Sequence, residues 1–307
     1  MGDLPKSVKI VEVGPRDGLQ NERQPVPTAA KIEFIDRLSA TGLAVIEATS
    51  FVSPRHIPQL ADAAEVFTGI EKRRGVTYPV LVPNIQGLER AMSVGVTDIA
   101  VFAAASDEFS LRNINASVEE SLERFAPVAE RALQAGLRIR GYISCVLGCP
   151  YQETVPVQRV VDVSRLLTEL GCYEVSLGDT IGVGTPIQAR MMVEAVSNSI
   201  GIERVAVHFH DTRGQALANI LSCLEAGVTV VDASVAGLGG CPYAQGATGN
   251  VATEDLVYML HGMDIDTGIN LVDLVEAGRY ISEVLGRPPA SRLGLIADKA
   301  HEQAENP

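Results

Sequence analysis

Residues 205–235 read VAVHFHDTRGQALANILSCLEAGVTVVDASV. Two short β-branched runs, Val205–His210 and Val230–Val235, flank a longer amphipathic stretch, Gly214–Ala226, and Gly227 stands where a left-handed helix C-cap belongs. A strand, a helix and a second strand in that order make a βαβ unit, whose strands run parallel. The pattern repeats along the chain. The remaining strand-like runs are Val8–Val13, Ala44–Ala48, Pro79–Val82, Asp98–Ala103, Arg138–Ser144 and Glu174–Gly178. Helical segments include Thr28–Ala40, Ser117–Ala135, Val155–Leu170 and Pro186–Ser199, and "ATGL", "QAGL" and "ELGC" repeat the glycine stop. Eight such units in ~260 residues, with no Pro- or Ser-rich linker, predict an α/β fold of the closed (β/α)8 TIM-barrel type. The expectation is one domain over 1–307, with the barrel at about 8–262 and an additional C-terminal helix and frayed, charged tail at about 270–307.

Composition agrees with a globular chain: 46% hydrophobic and 21% charged residues exclude a disordered one. The formal charge of -13 argues against a nucleic-acid partner, which needs clustered Lys and Arg. An anionic ligand could still meet Arg16, Arg55 or the run Lys72-Arg73-Arg74, although the run also reads as a solvated helix end. Five scattered cysteines without a CxxC pair suit a reducing compartment. The opening "MGDLPKSVKI" has no export or acylation pattern and no stretch approaches a membrane span, so a cytoplasmic location without membrane contact is expected.

In a barrel of this kind the chemistry belongs at the C-terminal ends of the strands. There the sequence places "EVGPRDGLQ", "IEATSF", "SLGDTIG" and "HFHD". His208 and His210 are two apart on a strand and share a face, so their imidazoles can chelate a metal or simply pack as core histidines. Asp17 ends strand one and Asn250 follows strand eight, neighbours of strand seven in a closed barrel. Together the four make a mixed nitrogen and oxygen donor set suited to a divalent metal, Mg2+ or Mn2+. Beside them Arg16 can form a salt bridge or hold a carbonyl oxygen as charge develops. Glu47 and Asp179 stand at strand ends as supports or proton acceptors, and Gln20 and Ser50 can bind substrate or cap backbone. Residues 237–250, GLGGCPYAQGATGN, set Cys241 in a glycine-rich loop where a thiol can act as an acid over a site or remain an inert small hydrophobe.

Five segments, GPRDGLQNE, IEATSFVSP, SLGDTIGVGTP, HFHDTRGQALAN and GLGGCPYAQGATGN, resemble the motifs of the 3-hydroxy-3-methylglutaryl-CoA lyase family, over Val8 to about Gly286. That resemblance implies a TIM barrel with Asp17, His208, His210 and Asn250 as metal ligands, Cys241 as catalytic acid, Arg16 as the enolate-stabilising residue and Glu47 and Asp179 as active-site carboxylates. It implies an acyl-CoA substrate cleaved to acetoacetate and acetyl-CoA, with His208 or Asp179 taking the hydroxyl proton, in a homodimeric bacterial enzyme of leucine catabolism. Arg213 stands where an aromatic residue is expected and would adjust the acyl pocket or meet an anion, and "DKAHEQAENP" carries no cysteine for thiol regulation. The rival readings are the same reaction on a longer 3-hydroxy-3-alkylglutaryl-CoA, a Claisen-condensing acyltransferase of the isopropylmalate or homocitrate synthase type, and a non-catalytic metal- or CoA-binding protein.

Overall fold

The computed structural model describes residues 4–152, 154–240 and 249–305. Along the chain run β1 (Lys9–Glu12), α1 (Thr28–Ala40), β2 (Val45–Ile46), β3 (Thr49–Ser50), α2 (Ala63–Gly69), β4 (Val80–Leu81), α3 (Ile85–Ser93) and β5 (Asp98–Ala104). They continue with α4 (Asp107–Ile114), α5 (Val118–Gln134), β6 (Arg138–Ser144), α6 (Val157–Glu169), β7 (Cys172–Asp179) and α7 (Pro186–Ile200). The last are β8 (Val205–Phe209), α8 (Ala216–Glu225), β9 (Val230–Ala233), α9 (Thr253–Gly262), α10 (Leu271–Leu285) and α11 (Arg292–Glu305).

The strands form one parallel sheet in the order β2-β1-β9-β8-β7-β6-β5-β4-β3. Its two ends, β2 and β3, are separated by Glu47 and Ala48 alone, and these bond to opposite neighbours. Glu47 N–H donates to Glu12 O, beside β1, and Ala48 N–H to Pro79 O, beside β4. The edges of the sheet are therefore the two sides of one strand, and the sheet closes into the eight-stranded barrel read from the sequence. The single run Ala44–Ala48 becomes two short ladders because this strand changes partner midway.

Local chemistry starts and stops the helices as expected. Ser117 and Glu120 close a capping box at α5, worth about 1 kcal/mol. Gly42, Gly136, Gly171 and Gly227 all have positive φ, the left-handed conformation the glycine stops require. The large core lies between strands and helices. A separate small cluster, Val11, Val13, Ala206 and Val230 with Val45, comes from β1, β2, β8 and β9 and marks the barrel interior. Strand alternation then turns His208 and His210 inward with Ala206, and Asp232 inward with Val230. Beyond the barrel there are two helices rather than one: α10 packs on α1, and α11 takes up the segment expected to fray. Among the described residues no helix is long and apolar enough to cross a membrane.

Candidate metal centre and active site

After β1 the chain makes one wide helical turn, Gly14–Gly18, in which Asp17 N–H and Gly18 N–H both return to Val13 O. Pro15 suits its first turn, where no intrahelical amide bond is needed. The turn carries Arg16 and Asp17 to the mouth of the barrel. Arg16 is buried there between two carboxylates, its Nε donating to Glu47 Oε2 at 2.8 Å and its Nη1 to Asp17 Oδ1 at 2.6 Å. Burial opposes the guanidinium charge, but Glu47 and Asp17 outweigh it and raise the Arg16 pKa above its ordinary value. Tyr142 on β6 completes the pocket: its ring lies 5.5 Å below the guanidinium carbon and its hydroxyl donates to Glu47 Oε2 at 3.3 Å. Glu47 Oε1 is buried without a hydrogen-bond partner. Burial raises the Glu47 pKa against the pull of Arg16.

Asp17, His208 and His210 each bring one donor atom within 4.8 Å of the others, and among the described residues they are the group that could hold a metal ion. The donor chemistry fits a cation. Burial would raise Asp17, yet Arg16 and His208 pull it down to about 2, so it stands as a carboxylate. Burial followed by the neighbouring His208 lowers His210 to about 4, which keeps it neutral at pH 7 with a lone pair to offer. His210 Nδ1 is buried and unpartnered. Asn250 is brought alongside by an antiparallel bridge to His210. Its amide nitrogen donates to Asp17 Oδ2 at 2.8 Å and to Leu238 O at 3.2 Å, which leaves Oδ1 as the free donor atom. All four residues expected as ligands are thus assembled.

The other expected site residues divide. Asp179 is wholly buried, and its two oxygens accept Val183 N–H at 3.2 Å and Gly184 N–H at 2.8 Å, so it shapes the loop after β7. Burial raises its pKa. The Ser50 hydroxyl donates to Leu81 O and accepts Val52 N–H, which is the backbone-capping alternative. Gln20 is half-buried just past the β1 turn. Arg213 donates to the carbonyls of Ile181 and Gly182, stapling the same loop that Asp179 holds. Cys241 lies outside the described residues, but the neck of its loop does not: a Cβ on Gly249 would sit 1.7 Å from Gly239 O, so the two ends of the loop cross in direct backbone contact that only glycine permits.

Two sets of residues escaped the sequence reading. Glu12 Oε1 accepts Gly14 N–H from the β1 turn and Val235 N–H from the chain leaving β9, while its Oε2 accepts the Thr253 hydroxyl. One buried carboxylate thus ties together the segments that carry Asp17 and the cysteine loop. Beneath the histidines, Asp232, Arg140 and Glu174 form a buried ionic column. The available signal was a charged residue interrupting each of three β-branched runs.

The comparisons agree with this geometry. A protein from Pseudomonas aeruginosa named 3-hydroxy-3-isohexenylglutaryl-CoA/hydroxy-methylglutaryl-CoA lyase is 59% identical over 290 residues, 94% of this chain and 97% of the relative. A crystal structure of hydroxymethylglutaryl-CoA lyase from the same organism superposes with a TM-score of 0.94 at 58% identity, covering 96% of this chain and 99% of that one. An HMG-CoA lyase from Acinetobacter baumannii, in complex with coenzyme A and 3-methylmalate, gives a TM-score of 0.90 at 38% identity, over 95% and 96% of the two chains. A family model described as HMGL-like matches residues 7–281, and with these relatives it shows that the chain belongs to the HMGL-like family.

Proposed function

We propose that this chain is a divalent-metal-dependent carbon–carbon lyase that cleaves 3-hydroxy-3-methylglutaryl-CoA to acetoacetate and acetyl-CoA. The observation that carries the reading is the placement of a buried guanidinium, Arg16, directly beside a three-donor cluster at the mouth of a barrel whose relatives are named for this reaction. Asp17, His208, His210 and Asn250 would hold the cation, Mg2+ or Mn2+. When bound it would supply Lewis-acid polarisation of the substrate's tertiary hydroxyl and orient the distal carboxylate.

His208 has one nitrogen left for the site, because Nδ1 faces Asp232. It cannot give that lone pair to a cation and take a proton at once, which leaves Asp179 as the other candidate: burial raises its pKa, and it would take the proton on a lone pair its oxygens do not already give to Val183 and Gly184 N–H. Loss of the hydroxyl proton lets the bond between the carbinol carbon and the thioester α-carbon break. The carbinol carbon becomes the ketone of acetoacetate, and the electron pair passes to the thioester as an enolate. Arg16 offers fixed positive charge to that enolate, with Glu47 holding the guanidinium in place. Cys241 gives a proton to the α-carbon, which completes acetyl-CoA. Gln20, half-buried just past the β1 turn, is the candidate substrate contact, Ser50 caps the backbone around it, and the whole chain acts as one catalytic unit, a cytoplasmic homodimer whose association sedimentation of the pure protein would test.

The experiment is a cleavage assay with 3-hydroxy-3-methylglutaryl-CoA and Mn2+ or Mg2+, followed by both products, with EDTA and Cys241→Ala as controls. Metal-dependent release of acetoacetate and acetyl-CoA supports the reading; metal binding with no release of either rejects it. A second reading, cleavage of the longer 3-isohexenyl substrate, is favoured by the name of the 59% identical relative. It is separated by the ratio of kcat/KM on the two thioesters.

A further inference from the structure

The column of charge under the site has no part in the reaction as proposed. Arg140 projects into the barrel from β6 and is fully buried, with Nε donating to Glu174 Oε1 at 2.7 Å. Its Nη2 and Nη1 form a fork onto the Asp232 carboxylate, at 2.7 Å to Oδ1 and 3.1 Å to Oδ2. Ser176 Oγ donates to Asp232 Oδ2 at 2.8 Å. That same Oδ2 lies 3.2 Å from His208 Nδ1, while His208 Nε2 lies 3.9 Å from Asp17 Oδ2 in the donor cluster. The imidazole is therefore strung between two carboxylates, one below and one at the site.

We infer that Asp232, held by Arg140, is a positioning residue for the metal centre. Its Oδ2 accepts the Nδ1–H of His208 and so fixes the tautomer and ring plane that leave the Nε2 lone pair aimed at Asp17 and His210. Free imidazole has no such constraint, and a metal-binding histidine needs its second N–H anchored if the lone pair is to point at the ion. The Arg140 fork prevents Asp232 from turning to follow another donor, because its two oxygens are each bound along a fixed direction. A buried ion pair is a poor source of stability, since desolvation offsets its attraction. Its place directly beneath a ligand is what this inference explains.

This inference rests on the metal-centre reading above, and its test keeps the two apart. In 15N-histidine spectra of the metal-free protein at alkaline pH, with His208 assigned through His208→Gln, wild-type His208 is expected as the Nδ1–H tautomer. A wild-type Nε2–H tautomer overturns the inference without any variant. Asp232→Asn keeps the volume but removes the charge. The double variant Arg140→Met/Asp232→Ala removes both partners, so no orphaned charge stays buried and Glu174 retains its 2.8 Å contact with Lys9. In the double variant, which has no acceptor left, the Nδ1–H signature is expected to be lost, and in each variant Mn2+ affinity, read by electron paramagnetic resonance, is expected to fall about 10- to 100-fold. A folded double variant that keeps the wild-type tautomer, or either folded variant that binds Mn2+ within twofold of wild type, overturns it. A wild-type protein that binds Mn2+ and shows the tautomer but cleaves no thioester overturns the proposed function and leaves the role of Asp232 standing.

Discussion

Replacing Arg16 by Met separates two things that one guanidinium does. In the folded protein it joins Glu47 and Asp17 through hydrogen bonds of 2.8 and 2.6 Å, and it is 6% exposed. Deleting one partner of a buried pair costs about 3–5 kcal/mol, because the surviving charge is left desolvated. Glu47 bears nearly all of that cost, since its side chain is 1% exposed whereas Asp17 is 21% exposed and solvent screens it. For a chain of this size the melting temperature should fall by roughly 5–8 °C. Cleavage should suffer separately: removal of a fixed donor from a developing oxyanion costs about 100- to 1,000-fold in kcat. Mn2+ binding should persist, because Asp17, His208 and His210 remain.

A second substitution tells the two effects apart. Arg16→Met/Glu47→Gln neutralises the orphaned carboxylate, and about 1–3 kcal/mol of stability should return. The lost turnover should not return, because no positive charge faces the enolate in either variant. Calorimetry and a coupled acetoacetate assay read the four corners of this cycle. If the double variant regains kcat along with its melting temperature, Arg16 serves only to neutralise Glu47 and its direct part in the reaction is refuted. A single variant with kcat within tenfold of wild type has the same force.

Cys241→Ala should bind Mn2+ normally while product release falls below detection; substantial turnover would remove the thiol from the mechanism. Gly249→Ala should lose more than about tenfold in kcat, because its Cβ would displace the Gly239 carbonyl and with it Asn250 next door; steady-state kinetics at saturating metal checks this. Burial lifts Glu254 from 4.5 to about 8, and Glu12 moves the same way, to about 7. The unfolded chain gives up these protons at lower pH than the folded one does, so the stability they contribute is complete below about pH 4.5 and is lost as pH rises towards 8. The melting temperature should fall across that window, and Glu254→Gln should flatten the slope; equal slopes would contradict the assignment.

Much of this was readable in one dimension because the barrel repeats. Each glycine stop, such as Gly136 after α5 or Gly227 after α8, is a local statement about φ that needs no tertiary knowledge. Closure needed only the count of strands, and closure alone brings Asp17 on the β1 turn beside His208 on β8 through β9. Ser50 and Arg213 were harder. A hydroxyl or guanidinium at a strand end can face substrate or backbone equally well, and here Leu81 O, Ile181 O and Gly182 O take them. Nothing in their neighbours along the chain distinguishes those outcomes.

Asp232 shows why the column below the site was missed. In "TVVDASV" it reads as the polar interruption of a strand, and alternation tells only that it shares a face with Val230 and Ser234. That face looks inward, where an unpaired carboxylate would be prohibitive. Its partners are 92 and 56 residues away, at Arg140 and Ser176, so no window of sequence contains the compensation. Just below the site the inward positions of β1, β2 and β8, Val11, Val45 and Ala206, carry no charge, and Lys9, lower on the same face of β1, reaches across to Glu174 at 2.8 Å. The charges nearest the site, Arg140 on β6 and Asp232 on β9, therefore form one connected column under His208. That column ends at His208 Nδ1, the hydrogen bond through which, among the described residues, it reaches the donor cluster by way of an imidazole. An interior that needed only to be filled could have continued the valines around the ring. The direct contact of that column with a ligand ties its cost in stability to the metal centre.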